Sequence, residues 1–233
     1  YAEEVVVAAG QVLPVPKGLS MVQAAALPEV FATAYLNLYM EGALQTTEKA
    51  IVHAGASGVG TAAIQLLKRS GNPVFVTVGS DEKLRSCVEL GADTGSVRHQ
   101  GSFAEAATAW AGEQGVDVIL DPVGGLYLAD NLHVLGLGGR LVLIGLMGGA
   151  VTEANLALLM LKRARVIGST LRARPIGEKA AVMDALQRNV WPDIERGAIR
   201  PIIEAEMPIQ QTQDAHALMA SNATVGKIVL TVA

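Results

Sequence analysis

Short apolar runs alternate with helical patterns through the middle of the chain. The apolar runs lie at residues 51–54, 74–78, 116–120, 141–144 and 166–169, and a further short strand is predicted at residues 94–97. The helical patterns between them lie at residues 60–70, 81–90, 102–111, 126–135 and 155–163. Strands that alternate with helices of this length predict a parallel sheet with helices on both faces. The strands are almost continuously apolar, which is typical of strands buried on both faces. We therefore predict an α/β fold with a doubly wound parallel (Rossmann) sheet.

The two ends of the chain follow different patterns. Residues 4–8 form a short β-like run before Pro14 and Pro16, which predicts an edge strand and an extended linker. Helices are predicted at residues 21–27 and 30–39. Beyond Pro175 the pattern predicts a helix at residues 178–190, an extended run from Pro201, a helix at residues 210–221 and a strand at residues 227–232. We predict that this tail belongs to a different structural unit.

Composition and charge narrow the functional classes. Hydrophobic residues make up 51% of the chain and charged residues 17%, which suits an α/β protein with covered strands. A net charge of −4 gives no field that would attract nucleic acid or an anionic membrane. No apolar run is long enough to cross a bilayer, and no signal-peptide pattern opens the sequence. Because the single cysteine, Cys87, cannot form an internal disulfide, we predict a cytoplasmic protein.

A glycine-rich segment, AGASGVG at residues 54–60, is the strongest local signal. It follows a predicted strand directly and opens a predicted helix. Glycines let the backbone turn sharply and approach a pyrophosphate, and the helix N-terminus offers free N–H groups. Ser57 stands where the second glycine of the usual spacing lies, and Gly58 supplies flexibility one residue later. In this context the segment predicts a dinucleotide site, although a purely structural glycine turn is the alternative.

The end of the second strand predicts which dinucleotide binds. An NAD site usually has Asp or Glu about 20 residues beyond the glycines, bound to the ribose 2′-OH. Here the strand ends at Gly79 and Ser80, and Lys83 follows one helical turn later. With Arg98, these donors suit a 2′-phosphate and predict NADPH. In the alternative, both cations are ordinary solvated charges, and Asp81 and Glu82 complement the helix dipole. A further alternative is that Asp81 points at the ribose.

Several motifs carry a family resemblance in order along the chain. They are the glycine segment, VGS at residues 78–80 with Lys83, DPVGG at residues 121–125, GRLVLIGLMGG at residues 139–149, LR at residues 171–172 and VGKIVL at residues 225–230. Together they resemble the zinc-free quinone oxidoreductase branch of the medium-chain dehydrogenase/reductase superfamily, in its p53-inducible type. The resemblance extends over essentially the whole chain.

This resemblance implies a division of the chain. Residues 28–172 correspond to the dinucleotide-binding Rossmann domain. Residues 1–27 correspond to the end of a GroES-like catalytic domain, and residues 173–233 to the segment that returns to it. Family members carry about a hundred further N-terminal residues of that domain, so much of the substrate pocket is expected to lie outside this sequence.

The resemblance also implies site residues. Thr33 matches a threonine near the nicotinamide and its ribose. The matches to cofactor-binding positions are Ser57, Gly58 and Val59 at the pyrophosphate turn, Gly79, Ser80, Lys83 and Arg98 at the 2′-phosphate, Val123, Met147 and Gly148 around the nicotinamide, Leu171 along its edge, and Lys227 near the cofactor. For Lys227 a strand-edge charge is the alternative. At Arg98 many relatives have a tyrosine. No catalytic residue or proton donor is identified.

No metal site is expected. Zinc-dependent relatives have a cysteine ligand four residues before the position of Thr33, and here that position is Glu29. The four histidines are scattered and form no cluster with Cys87. Cys87 lies among apolar residues and is predicted to be part of the core rather than a nucleophile. His53 is predicted to be a packing or hydrogen-bonding residue. Arg172 and Arg174 suit either a solvated edge or an acidic cofactor.

The resemblance implies a function. It predicts NADPH-dependent reduction of a quinone or an α,β-unsaturated carbonyl by hydride transfer, without zinc. A reductase of enoyl thioesters in the same superfamily would share these motifs, and a protein that binds the cofactor without turnover is the other alternative. The small-molecule substrate is not identified further. A homodimer is expected through the edge strand at residues 166–171.

Overall fold

Six parallel strands form one sheet in the computed structural model, which describes residues 1–232. The strands are β1 Ala50–Val52, β2 Val74–Val78, β3 Thr94–Val97, β4 Val116–Asp121, β5 Leu135–Leu143 and β6 Arg165–Gly168. They lie in the order β3-β2-β1-β4-β5-β6, and all of their pairings are parallel. The order reverses direction between β1 and β4, as in a doubly wound sheet. The predicted fold class is confirmed.

Helices cover both faces of the sheet. They are α1 Met21–Ala25, α2 Pro28–Tyr35, α3 Gly58–Ser70, α4 Asp81–Leu90, α5 Phe103–Ala111, α6 Leu128–Val134, α7 Leu156–Lys162, α8 Ile176–Asn189, α9 Trp191–Glu195 and α10 Thr212–Ala220, and α2 continues as a π-helical turn, Leu36–Glu41. Most of them match the sequence pattern to within a few residues. Alternation of side chains along the strands divides the core into two parts.

Each part of the core takes alternate residues of the same strands. Val52, Val76 and Leu120 pack on the face covered by α2, α3 and α8. Ile51, Phe75 and Ile119 pack on the opposite face, which α5 and α6 cover. The central strands are therefore buried on both sides, which explains their almost continuously apolar sequence.

Two expectations from the pattern were wrong. Residues 4–8 form no strand; Val5 and Val6 are 79% and 100% exposed, and none of the described strands pairs with them. A β-branched run forms a strand only where a partner satisfies its backbone. In addition, β5 begins at Leu135, six residues before the expected start. Its first residues pair with Val116 across a break in register, where Gly136 packs closely against Gln114.

The C-terminal segment forms a separate sheet but shares the main core. The strands β7 Ile203–Pro208 and β8 Lys227–Thr231 pair in parallel with each other and not with the six-stranded sheet. Val182 and Leu186 of α8, however, pack in the same cluster as α2 and α3. The indole N–H of Trp191 donates to the Pro14 carbonyl (2.8 Å) and so links the two ends of the chain. The domain boundaries at residues 27 and 172 stay predictions.

Candidate functional site

The candidate site lies where β1 and β4 meet in the centre of the sheet. The helix after β1, α3, packs on one face, whereas α6, which follows β4, packs on the other. A crevice forms outside the carboxyl ends of parallel strands at such a point, and it is the usual ligand site of open α/β sheets. Most of the residues predicted to bind a cofactor belong to loops at these strand ends.

The glycine segment forms a tight turn into α3. Ala54 adopts a left-handed conformation with φ of 53°, and Ser57 caps the helix by accepting a hydrogen bond from the Gly60 N–H (3.0 Å). A β-carbon at Gly60 would lie 2.4 Å from the Gly55 carbonyl oxygen, so the turn requires glycine there. No acidic residue lies in the first turn of α3. The positive end of the helix dipole is therefore not neutralised by a neighbouring carboxylate.

The C-terminal segment reaches this turn. The Gly226 N–H donates to the Ala56 carbonyl (2.9 Å), and Gly226 forms a bridge with Ser57. Lys227 then packs its side chain over Gly58, where a β-carbon would meet the lysine Cδ at 2.5 Å. The structure thus brings Lys227 to the predicted pyrophosphate turn.

Glu29 connects this turn to α2. Its carboxylate accepts a hydrogen bond from the Thr33 hydroxyl (3.3 Å) and pairs with the Lys227 ammonium (3.3 Å). Thr33, Gly58 and Lys227 therefore form one group. Glu29 serves here as the ion-pair partner of Lys227.

Ser80 and Lys83 lie together at the end of β2. Ser80 caps α4 by accepting from the Lys83 N–H (3.3 Å). The Lys83 ammonium donates to the Asn222 carbonyl (2.6 Å) in the loop before β8. Burial lowers the pKa of Lys83, and the positive charge of Arg98 lowers that pKa further. Arg98 also lies at the end of β2, because its backbone N–H donates to the Val78 carbonyl (3.0 Å).

Asp81, the acid that follows Ser80, is hydrogen-bonded within the protein. Its carboxylate accepts a hydrogen bond from the Gln100 side chain (3.0 Å). It also lies in the first turn of α4, where a negative charge complements the helix dipole. This contact supplies a structural reason for the acid that follows Ser80.

The loops after β4 and β5 are joined by backbone hydrogen bonds. The Met147 N–H donates to the Pro122 carbonyl (3.1 Å), and the Gly148 N–H donates to the Val123 carbonyl (2.7 Å). A β-carbon at Gly148 would lie 2.8 Å from the Val123 side chain, so close approach of the loops requires glycine. The predicted residues Val123, Met147 and Gly148 therefore form one surface, on which Met147 is 73% exposed.

Leu171 and Arg174 lie beyond β6. Leu171 is partly buried against the core face shared with α2 and α8. The Arg174 guanidinium pairs with Glu41 (2.5 Å) and with Glu178 (3.1 Å). Arg174 thus serves as a link between the π-helical turn and α8.

Below the strand ends, four polar side chains form a buried hydrogen-bonded chain. His53 contacts Thr77 through Nδ1 (3.0 Å) and Asn131 through Nε2 (2.7 Å), and Asn131 donates to Asp121 (2.9 Å). The prediction that His53 is a hydrogen-bonding residue is confirmed. Its partners were missed because Thr77, Asn131 and Asp121 are distant in sequence and no local pattern links them.

Among residues 1–232, no three side chains of His, Cys, Asp or Glu lie close enough to hold a metal ion. Cys87 is fully buried, and burial raises the pKa of its thiol to about 12, so its prediction as a core residue is confirmed. Within the same described range, no helix is long and apolar enough to span a membrane.

The chain is similar to known sequences along its whole length. The profile of the zinc-binding dehydrogenase family matches residues 58–188. Quinone oxidoreductase from Rattus norvegicus is 29% identical over 231 residues, which are 99% of this chain and 68% of that protein. Lovastatin diketide synthase from Aspergillus terreus is 32% identical over 241 residues, which cover this chain fully and 10% of the synthase.

Solved structures share the fold. An NAD-dependent alcohol dehydrogenase superposes with a TM-score of 0.85 at 28% identity, covering 98% of this chain and 64% of that one. Quinone oxidoreductase from Escherichia coli, complexed with NADPH, superposes with a TM-score of 0.82 at 28% identity, covering 94% and 67%. The chain therefore spans about two thirds of the length of the quinone oxidoreductases and of this alcohol dehydrogenase. The alcohol dehydrogenase is NAD-dependent, whereas the quinone oxidoreductase structure contains NADPH.

Proposed function

Because the chain belongs to the zinc-binding dehydrogenase family of the medium-chain dehydrogenase/reductase superfamily, we propose that it serves in the NADPH-dependent reduction of a quinone or an α,β-unsaturated carbonyl. The reaction is proposed to be independent of zinc, and the 233-residue chain is proposed to supply mainly the part that binds the cofactor. A cytoplasmic location is proposed with it, on the single cysteine.

The observation that carries the choice of cofactor is the end of β2. The Lys83 N–H is bonded to Ser80 there, the Arg98 N–H is bonded to the Val78 carbonyl, and the Asp81 carboxylate accepts from Gln100. Two cations suit a 2′-phosphate, which forms strong charge-assisted hydrogen bonds. The neighbouring turn of Ser57, Gly58 and Val59 leads into α3 and suits the pyrophosphate.

The remaining residues orient the reacting half of the cofactor. Bound NADPH would supply the hydride from C4 of its nicotinamide. Val123, Met147 and Gly148 offer a surface formed by two joined loops, and Thr33 lies on α2 beside the turn. Leu171 is assigned to the nicotinamide edge, and Lys227 to the pyrophosphate that Gly58 would contact. The proposal assigns no proton donor.

A second candidate function is reduction of an enoyl thioester. The similarity to lovastatin diketide synthase favours this candidate, since it covers the whole of this chain at a slightly higher identity than the quinone oxidoreductases. Turnover of crotonyl thioesters in place of quinones would select it. Nucleotide binding without turnover of either class would select the non-catalytic alternative.

The cofactor proposal is tested by titrating the chain with NADPH and with NADH. We expect Lys83→Ala to lose about 1.5–3 kcal/mol of binding free energy toward NADPH, because an interaction with a charged group is lost, and to leave NADH binding unchanged. Lys68→Ala, which removes an exposed lysine from α3, is the matched control. Equal losses for both nucleotides would overturn the assignment of Lys83 to the 2′-phosphate.

A further inference from the structure

The buried polar chain beneath the strand ends contains four side chains from four elements. Thr77 belongs to β2, His53 follows β1, Asn131 belongs to α6 and Asp121 ends β4. Each is at most 3% exposed. Burial of a polar group costs free energy unless the group finds a hydrogen-bond partner. The order of donors and acceptors along these four side chains is therefore constrained.

The direction of every bond follows from the Asp121 end. One carboxylate oxygen accepts from the backbone N–H groups of Val123 (2.6 Å) and Gly124 (3.1 Å), and the other accepts from the Asn131 NH₂ (2.9 Å). The Asn131 oxygen therefore faces His53. Because that oxygen can only accept, Nε2 of His53 carries the proton.

The other ring nitrogen completes the order. With its proton on Nε2, neutral His53 has a bare Nδ1, which accepts from the Thr77 hydroxyl (3.0 Å). Burial lowers the pKa of His53, which keeps the ring neutral. All the bonds run in one direction, from the Thr77 hydroxyl through His53 and Asn131 to Asp121.

The two ends of this hydrogen-bonded chain of side chains lie next to two different parts of the proposed cofactor site. Thr77 precedes the Gly79–Ser80 tip of β2. Asp121 holds the loop of Val123, which is bonded in turn to the loop of Met147 and Gly148. A rigid buried connection therefore joins the strand assigned to the 2′-phosphate to the loops assigned to the nicotinamide.

We infer that Thr77, His53, Asn131 and Asp121 are positioning residues, whose one-directional hydrogen bonds hold the Val123 loop in the geometry needed for the nicotinamide half of the cofactor. This inference rests on the proposed function, because it assigns that loop to the nicotinamide. None of the four side chains is proposed to touch the cofactor. Supporting groups of this kind fix the groups that do.

The first test reads the proton on His53 directly. ¹⁵N NMR of the imidazole in the wild-type chain at neutral pH is expected to show the Nε2–H tautomer, and the Nδ1–H tautomer or a charged ring would overturn the order of bonds. Asp121→Asn presents an NH₂ to Asn131, whose amide must then turn and offer its own NH₂ to His53. We expect the proton to move to Nδ1 in this variant. Asp117→Asn, at the other end of β4 where Asp117 accepts from the Lys49 N–H, is the control and should leave the tautomer unchanged.

The second test measures nucleotide binding. Asp121→Asn is expected to weaken NADPH binding about tenfold and to leave the affinity for adenosine 2′,5′-bisphosphate, which lacks the nicotinamide, within about twofold. Equal losses for both ligands would overturn the positioning role. A wild-type chain that binds neither ligand would instead count against the proposed function, while the tautomer test still decides the order of bonds.

Thr77 offers an independent check in case Asp121→Asn does not fold. Thr77→Val keeps the shape but removes the hydroxyl, and we expect the same selective loss of NADPH affinity. Thr77→Ser restores the donor and should restore the affinity. If the valine and serine variants bind alike, the hydroxyl has no positioning role.

Discussion

Lys227 packs directly over the α-carbon of Gly58, and a β-carbon at residue 58 would lie 2.5 Å from the lysine Cδ. The two residues lie far apart in the sequence. The ammonium beyond the contact pairs with Glu29 at 3.3 Å, on a partly exposed surface. Since exposed ion pairs contribute little to stability, this arrangement leaves the charge available to a phosphate at small cost.

We predict that Lys227 contributes its charge to a group common to both cofactors. Lys227→Met keeps the hydrocarbon over Gly58 and removes the charge, and it should weaken NADPH and NADH binding by a similar factor, about tenfold, because both carry the pyrophosphate. Lys227→Ala should weaken binding equally and also lower the thermal midpoint. Fluorescence titration and thermal unfolding measure the two effects. A loss confined to NADPH would place Lys227 at the 2′-phosphate instead.

Substitution by alanine should lower the stability of the protein at Gly60 but not at Gly79. At Gly60 a β-carbon would lie 2.4 Å from the Gly55 carbonyl oxygen, and backbone cannot move aside as a flexible side chain does. We expect Gly60→Ala to cost about 1–3 kcal/mol of unfolding free energy, more than the helix propensity of alanine returns. Gly79→Ala meets nothing within 4 Å and should change stability little. Urea unfolding of both variants tests the contrast, and similar midpoints would contradict it.

The strands and most helices could be predicted because their signals are local. In β2 and β4 a mostly apolar run indicates burial on both faces, and Ser57 and Ser80 lie where helices begin. The early start of β5 could not be predicted, because Leu135 pairs with Val116 only through a break in register. The run at residues 4–8 was wrongly predicted to be a strand, because strand formation depends on a partner that the sequence does not show.

The sequence could predict those parts of the site whose residues lie in one continuous segment, but not contacts between distant segments. Glycines and cations near strand ends pointed to Gly58 and Lys83 without knowledge of their neighbours. The link from Glu29 to Lys227 joins residues near the two ends of the chain, and no spacing rule connects them. The same holds for Asn131, an ordinary polar residue of a helix until the fold sets it against His53.

Stability should fall in acid because of His53. Burial lowers the pKa of His53 below its ordinary value of 6.5, so the unfolded chain binds the proton more readily than the folded one. The stability from the neutral ring is complete above pH 6.5 and is lost as the pH falls toward the lowered value, at up to about 1.4 kcal/mol per pH unit.

A variant without His53 tests whether this residue is the source of the loss of stability in acid. His53→Gln should be less stable than wild type at neutral pH, since it disturbs a buried network. Its unfolding free energy should, however, lack the loss that His53 causes as the pH falls below 6.5. His216→Gln, which removes an exposed histidine from α10, controls for the loss of a histidine elsewhere. Urea unfolding across this range measures the slopes. A slope unchanged in His53→Gln would contradict the assignment.

The outer edge of β6 is the proposed contact between two copies of the chain. The Ser169 N–H donates to Leu143 of β5, so alternate N–H groups along β6 face β5 and that of Val166 faces outward. Val166 is 41% exposed, and α7 nearby exposes Met160 and Leu161 at 79% and 77%. Such an edge favours pairing with a second strand. We expect the wild-type chain to sediment as a dimer. The variant Val166→Pro removes the outward N–H without breaking the ladder to β5, so it should sediment as a monomer. Its thermal midpoint at low protein concentration should be nearly unchanged. A variant that remains dimeric would show that the copies meet at another surface.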